Sequence, residues 1–171
     1  VLKGAKLAKT AYIAVAEDDT LYPSEHFKLR PPDGTVAYNL NRWVVNLGRR
    51  DPCYYYHHST VNASLIGPRE LVIKTLEERY SKYPDGTPDK LTGEIGRWDI
   101  ENGLEIRRVK KVSLESAIPI IQFKHNYRRP EVGNVKDTPL RPIQSFDLPY
   151  WGKLEELVPL WGTVEERMNK I

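Results

Sequence analysis

Cysteine is almost absent from this 171-residue chain: Cys53 stands alone, so no internal disulfide can staple the fold. Methionine is equally scarce, with Met168 the single one; the chain opens on Val1, and the natural protein is expected to begin earlier. No apolar run approaches the roughly 20 residues that a membrane span requires. The lysine-bearing opening, Val1 to Lys9, is not followed by the apolar segment and small-residue cleavage site of a secretory signal. Neither sign of charge dominates, because 26 Lys and Arg against 23 Asp and Glu leave a formal charge of only +3. These shortages point to a soluble, cytoplasmic protein of a reducing compartment. No internal repeat or low-complexity stretch is present. What remains is a globular composition, 40% hydrophobic, 29% charged and 10% aromatic, which excludes a disordered or collagen-like chain. At this length one core can bury roughly 70% of the unfolded surface, without a metal merely to hold the fold.

Hydrophobic periodicity orders the chain. Val1, Leu2, Ala5 and Ala8, with lysines between them, suit the end of an amphipathic helix. Ala11 to Ala16 (AYIAVA) reads as a strand covered on both faces that stops at Glu17, Asp18 and Asp19. The carboxyl end of a buried strand is where open α/β sheets bind ligands, so position adds to residue type. Next, SEHF reads as a helical turn capped by Ser24, and PPDG as a turn. Thr35 to Tyr38 and Trp43 to Leu47 read as a hairpin or meander around Asn39 and Asn41, with Tyr54 to His57 a further strand. The clearest helix follows Gly67: Pro68 suits its first turn, and Leu71, Thr75, Leu76 and Tyr80 share a face. Tyr83 to Gly96 reads as loop, and the segment from Trp98 to Lys111 as either a short helix or a strand edge. Ala117 to Phe123 (AIPIIQF) reads as a second buried strand, and Lys153 to Val158 and Val164 to Asn169 as short helices.

Adjacent carboxylates repel, and a strand end shields them from water; a divalent cation removes that cost. The alternative for Glu17, Asp18 and Asp19 is an acidic loop that caps the next helix. The run AYIAVAEDDTLYPSEHF resembles the metal-binding segment of nucleotide-sugar glycosyltransferases of the GT-A fold, in particular family 2-like enzymes of prokaryotes and viruses. That resemblance implies an α/β fold with a Rossmann-like mixed sheet flanked by helices, in a minimal or partial version. It implies manganese or magnesium held against a donor diphosphate by an E-x-D variant of the D-x-D motif. Asp19 is then the first ligand and Glu17 the second, with Asp18 left to the donor ribose or the metal. His125, directly after the second buried strand, is implied as a further ligand; the alternative is a surface histidine. Lys124, Arg128 and Arg129 form a basic cluster suited to a diphosphate leaving group, or else a solvated face.

The segment GRWDIENGLEIRR is similar to the acidic stretch that supplies the catalytic base of inverting GT-A enzymes, with Trp98 where the pattern has its first acid. Inversion needs one carboxylate to take the proton of an acceptor hydroxyl. Asp99 is implied in that role, with Glu101 and Glu94 as alternatives; Asp99 could instead cap a helix. The resemblance runs to about His125 and covers only the second half of a GT-A domain, since 16 residues before Glu17 cannot hold the nucleotide-gripping unit. A second chain or a homo-oligomer is the expected remedy, because an isolated half leaves a sheet edge open. Residues 1–130 are taken as the catalytic region and 131–171 as a surface-wrapping extension.

The whole implies transfer of a sugar, with inversion, from a nucleotide diphosphate donor to a carbohydrate or other hydroxyl acceptor. Two alternatives belong to other classes. One is a non-catalytic relative that binds carbohydrate or serves assembly. The other is a nucleic-acid-binding module built on the stretch from Arg107 to Arg141, where nine Lys and Arg face three acids, although no recognised nucleic-acid motif is present. Tyr54, Tyr55, Tyr56, His57 and His58 offer an acceptor platform or a core strand. His57 and His58 are adjacent and so face opposite ways, against a joint metal site.

Overall fold

The computed structural model describes residues 1–46, 53–86, 94–96, 100–101, 104–105, 109–124 and 143–161. Two mixed sheets organise them. The first holds β1 (Tyr12–Ala14), β6 (Leu65–Pro68), β3 (Thr35–Asn39) and β9 (Lys110–Leu114) in the order β1-β6-β3-β9. The second holds β11 (Gln144–Ser145), β5 (Tyr54–Tyr56), β4 (Arg42–Asn46), β10 (Ile120–Lys124) and β2 (Thr20–Leu21), in the order β11-β5-β4-β10-β2. Two small antiparallel pairs, β7 (Ile100–Glu101) with β8 (Leu104–Glu105) and β12 (Asp147–Leu148) with β13 (Gly152–Lys153), complete the strands. The described chain is therefore a mixed α/β protein with few helices: α1 (Leu2–Leu7), α2 (Arg69–Lys82) and α3 (Leu154–Trp161). None of these is long and apolar enough to cross a membrane.

The expected hairpin between Thr35–Tyr38 and Trp43–Leu47 does not form. Strands β3 and β4 follow one another directly yet lie in different sheets, and each pairs in parallel with a distant strand. Thr35 to Asn39 run beside Lys110 to Leu114, and Arg42 to Asn46 beside Ile120 to Lys124. The chain thus crosses from the first sheet to the second twice in the same direction, at Leu40–Asn41 and again after Leu114. Backbone bonds tie the two crossings together, Leu40 N to Leu114 O at 2.8 Å and Ile120 N to Asn41 O at 3.0 Å. A third crossing, from β1 to β2, carries the acidic triplet.

Two apolar clusters replace the single expected core, because the sheets part at these polar crossings. In the first, α2 lays Val72 and Leu76 on Val36, Tyr38 and Leu65, with Ala5 of α1 beside them. Burial of each such aliphatic side chain contributes about 1.5–3 kcal/mol. The buried face of α2 is Val72, Thr75, Leu76 and Arg79, while Tyr80 is exposed, so the helix is rotated from the face expected. Pro68 caps it from the end of β6. In the second cluster Val45, Tyr54, Ile121 and Phe123 are covered by Leu148, Leu154 and Leu157. The 143–161 stretch thus contributes core side chains, and Trp151 Nε1 donates to Pro119 O at 2.8 Å.

Local expectations around the triplet are corrected in two respects. Strand β1 is half-buried, not covered on both faces, because among the described residues it is the outer strand of its sheet and pairs only with β6. The SEHF turn is a 3-10 helix (Ser24–Lys28) whose cap position is Pro23, with no side-chain cap bond from Ser24.

Candidate functional site

Glu17, Asp18 and Asp19 form the turn that carries the chain from β1 to β2. Thr20 N closes the turn on Glu17 O at 3.3 Å, and Thr20 Oγ1 donates to Asp19 Oδ1 at 2.9 Å. The turn is fixed to both sheets. Glu17 N–H donates to Tyr22 Oη at 3.0 Å, the Tyr22 hydroxyl donates to Ala63 O at 2.9 Å, and Phe123 N donates to Asp19 O at 2.8 Å. Since β2 and β10 are antiparallel with Gln122 opposite Thr20, that last bond continues the register by one pair. Lys124 is the next residue of β10. The acidic turn and the end of the second apolar strand, remote in sequence, meet here.

Electrostatics at the turn are unfavourable to charge. Burial raises the Glu17 carboxyl above the usual carboxylate range, Asp19 and then Asp18 push it the same way, Arg42 draws it down, and Glu94 adds an upward push. Asp18 is exposed, Asp19 half-buried. A guanidinium and a further carboxylate therefore act on the same position. Arg42, the first residue of β4, is fully buried; its Nη1 donates to Gln122 Oε1 at 2.6 Å, and its Nη2 lies 2.8 Å from His57 Nδ1 and donates to Ser59 Oγ at 2.8 Å. Such a fork suits Arg and not Lys, which lacks the planar donor array.

A second polar cluster joins the crossings. Asn39 is fully buried at the end of β3: its Nδ2 donates to Ser116 Oγ at 2.7 Å and to His26 Nδ1 at 3.1 Å, while its Oδ1 accepts from Asn41 N at 3.1 Å and Ser116 N at 3.2 Å. Asn41 Nδ2 donates to Ser116 O at 2.7 Å, and Glu25 Oε1 accepts the Ile118 N–H. Buried polar groups of this kind must be fully paired, which makes them strict about geometry. None of Asn39, Arg42, Ser59, Ser116 or Gln122 was singled out from sequence as functional. An arginine opening the apolar run RWVV is the one signal that could have pointed to a buried polar anchor.

The expected site residues fall into three groups. Glu17, Asp18 and Asp19 share one turn, which is bonded to Phe123, the residue before Lys124, and Glu94 acts electrostatically on Glu17. Glu101 is placed only by its backbone, in β7. Asp99, His125, Arg128 and Arg129 lie outside the described residues, as does most of the basic stretch. Among the described residues no group of three or more His, Cys, Asp or Glu side chains is arranged to hold a metal ion. Of the two readings of the tyrosine run, the core strand is the one found: Tyr54 and Tyr55 are buried, and Tyr56 is half-buried against Trp43, ring centroids 5.6 Å apart. His57 and His58 separate, one on Arg42 and the other 3.5 Å from Glu115 Oε1.

Fold and site together define a mixed α/β protein with an anionic turn where its two sheets meet. No protein-family model, no curated protein and no solved structure matches the chain.

Proposed function

We propose that the chain is a metal-dependent, GT-A-like glycosyltransferase, or the catalytic half of one, that moves a sugar from a nucleotide diphosphate donor to a hydroxyl acceptor. One observation carries the reading: the acidic turn is bonded to β10, Asp19 O accepting the Phe123 N–H, with Lys124 and His125 the next two residues in sequence. Two segments singled out separately for the same site are thus neighbours.

The donor chemistry fits a hard cation. Glu17 and Asp19 present carboxylate oxygens on one anchored turn, and a carboxyl raised by burial and by its like-charged neighbours is one that a cation stabilises in its charged form. With His125 as the third ligand, these residues would hold Mn2+ or Mg2+, which when bound neutralises charge on the donor diphosphate. Asp18 is left to the donor ribose or the same ion. Lys124, joined by Arg128 and Arg129, offsets the charge of the departing nucleoside diphosphate. A carboxylate takes the proton of the acceptor hydroxyl as its oxygen attacks the anomeric carbon and the bond to phosphate breaks. Asp99 is assigned that role, with Glu101 and Glu94 as alternatives; the action of Glu94 on Glu17 supports its membership of the same site.

Isothermal titration with UDP, GDP and dTDP, each with Mn2+ and with chelator, tests this. Manganese-dependent binding of one nucleotide, lost in Asp19→Ala and in His125→Ala, is the expected result. Binding indifferent to metal and to both substitutions overturns it. Absence of nucleotide binding in a folded chain would leave a non-catalytic carbohydrate-binding or assembly role.

A further inference from the structure

The outer edge of β1 has no strand partner among the described residues and borders a groove of about 790 Å3. Small side chains, among them Gly4, Ala8, Ala14 and Ala16, line much of it, and the larger Phe27 and Arg30 line it as well, Arg30 lying 5.3 Å from the centroid of the Tyr12 ring. The pairing with β6 shows which backbone groups face outward. Ala11 O accepts from Arg69 N at 2.8 Å, Val15 N donates to Leu65 O at 2.9 Å, and Ile13 lies opposite Gly67. Odd-numbered residues therefore spend their backbone groups on β6. Those of Tyr12 and Ala14 point into the groove, as alternation in an antiparallel ladder requires. Among the described residues only Tyr12 O is engaged on that side, by the exposed Thr10 hydroxyl at 2.7 Å.

Charge along this segment is polar in the other sense of the word. Exposed Lys3 and Lys9 lie at its amino end, and Glu17, Asp18 and Asp19 at its carboxyl end. We infer that the groove is filled by β1 of a second copy of this chain, paired antiparallel about a two-fold axis at Ile13. In that register Tyr12 and Ala14 of the two copies exchange backbone hydrogen bonds, and Lys9 of each copy stands opposite Glu17 of the other. Each acidic end meets a basic end, twice over by symmetry. Shifting the axis to Tyr12 sets Lys9 against Val15 and loses the match. Shifting it to Ala14 calls on Asp19, whose backbone is already committed to Phe123. A parallel pairing sets like charge beside like. The result is an eight-stranded sheet that continues each four-stranded one and leaves β1 no open edge.

Sedimentation velocity over a range of concentration reads the outcome, with circular dichroism to check folding. The wild-type chain is expected to dimerise. Ala14→Pro removes an N–H that faces the groove and not β6, so it is expected to stay folded and lose the dimer. Lys9→Glu is expected to weaken the dimer by roughly tenfold or more, because symmetry counts the change twice. Adding Asp18→Lys, an exposed position beside Glu17, is expected to restore much of the loss. A wild-type monomer, or a dimer that both Ala14→Pro and Lys9→Glu leave intact, overturns the inference.

Discussion

Mild acid is expected to destabilise this protein through one buried imidazole, His26. Its ring is fully buried, packed against Tyr22 at 5.0 Å and edge-on to Phe27 at 5.1 Å between centroids. Asn39 Nδ2 can only donate, so His26 Nδ1 is the acceptor of their 3.1 Å contact and the proton sits on Nε2. Nε2 has no hydrogen-bond partner among the described residues. Burial holds the imidazole down at about 4, against an ordinary value of 6.5. The nearest carboxylate on its own helix, Glu25, is taken by the Ile118 N–H. Because the folded value lies below the unfolded one, the unfolded chain takes up the proton first. Stability is therefore complete above the unfolded value and falls as pH drops from about 6.5 towards 4. At about 1.36 kcal/mol per pH unit the whole loss is about 3 kcal/mol, of which about 2 kcal/mol is already gone at about pH 5. Urea denaturation of wild type and His26→Asn at neutral and mildly acid pH measures it, since the Asn Oδ1 occupies the acceptor position of Nδ1 without titrating. The variant loses ring packing at every pH, so the quantity to compare is the slope. Glu17 acts with the opposite sign, its raised carboxyl value meaning that acidification recovers stability; it is common to both proteins and cancels. Equal slopes in the two proteins would refute the reasoning.

Asn39→Ala removes all four hydrogen bonds of the buried amide and strands the N–H groups of Asn41 and Ser116, so a loss of about 3–5 kcal/mol is expected in the same denaturation assay. Asn39→Asp keeps both backbone bonds and offers His26 a counter-charge, so its stability is expected to rise as pH falls, the reverse of wild type; a wild-type slope would contradict this. Gly67→Ala places a Cβ 3.0 Å from Val36 Cγ1 and 3.3 Å from Val72 Cγ2, both on fully buried residues, and is expected to cost about 1–3 kcal/mol by thermal denaturation. An unchanged midpoint would mean that β6 does not press on β3 and α2 as described.

What could be read from sequence was whatever a short run of residues decides by itself. Helix α2 was legible because its apolar spacing spans 14 residues, and β10 because IIQF is apolar at every position but Gln122. The antiparallel pairing of β4 with β5 also follows from neighbouring aromatic and β-branched runs. Strand β6 was hidden, since LIGP contains a glycine and a proline and runs straight into a helix. Strand β9 was hidden too: KKVSL is mostly exposed at the rim of its sheet, where polarity costs nothing. The false hairpin has a different cause. Asn39 and Asn41 carry turn chemistry, but their amides are spent on Ser116, and the strands on either side each find a better partner some 75 residues away. Nothing within the run TVAYNLNRWVV reports that.

The same distinction runs through the site. Three consecutive acids are visible in any sequence, but their placement depends on residues that are not. Asp19 O is held by Phe123, Glu17 N by Tyr22, and the Glu17 carboxyl feels Arg42, whose own fork is shared among Gln122, His57 and Ser59. Each of those partners comes from the second sheet or from the chain leading into or out of it, whereas the acids follow a strand of the first. The turn is therefore positioned only when both sheets are complete and joined. A substitution that loosens the polar crossings, such as Asn39→Ala, should disturb the acidic turn as well as the core, although the two share no hydrogen bond. Any cation affinity of the chain would then fall together with its stability. Gly67→Ala, which presses on the apolar side of the first sheet alone, should lower stability while sparing that affinity. Equal loss of Mn2+ binding in the two variants, measured at equal folded fraction, would break the link drawn between the crossings and the turn.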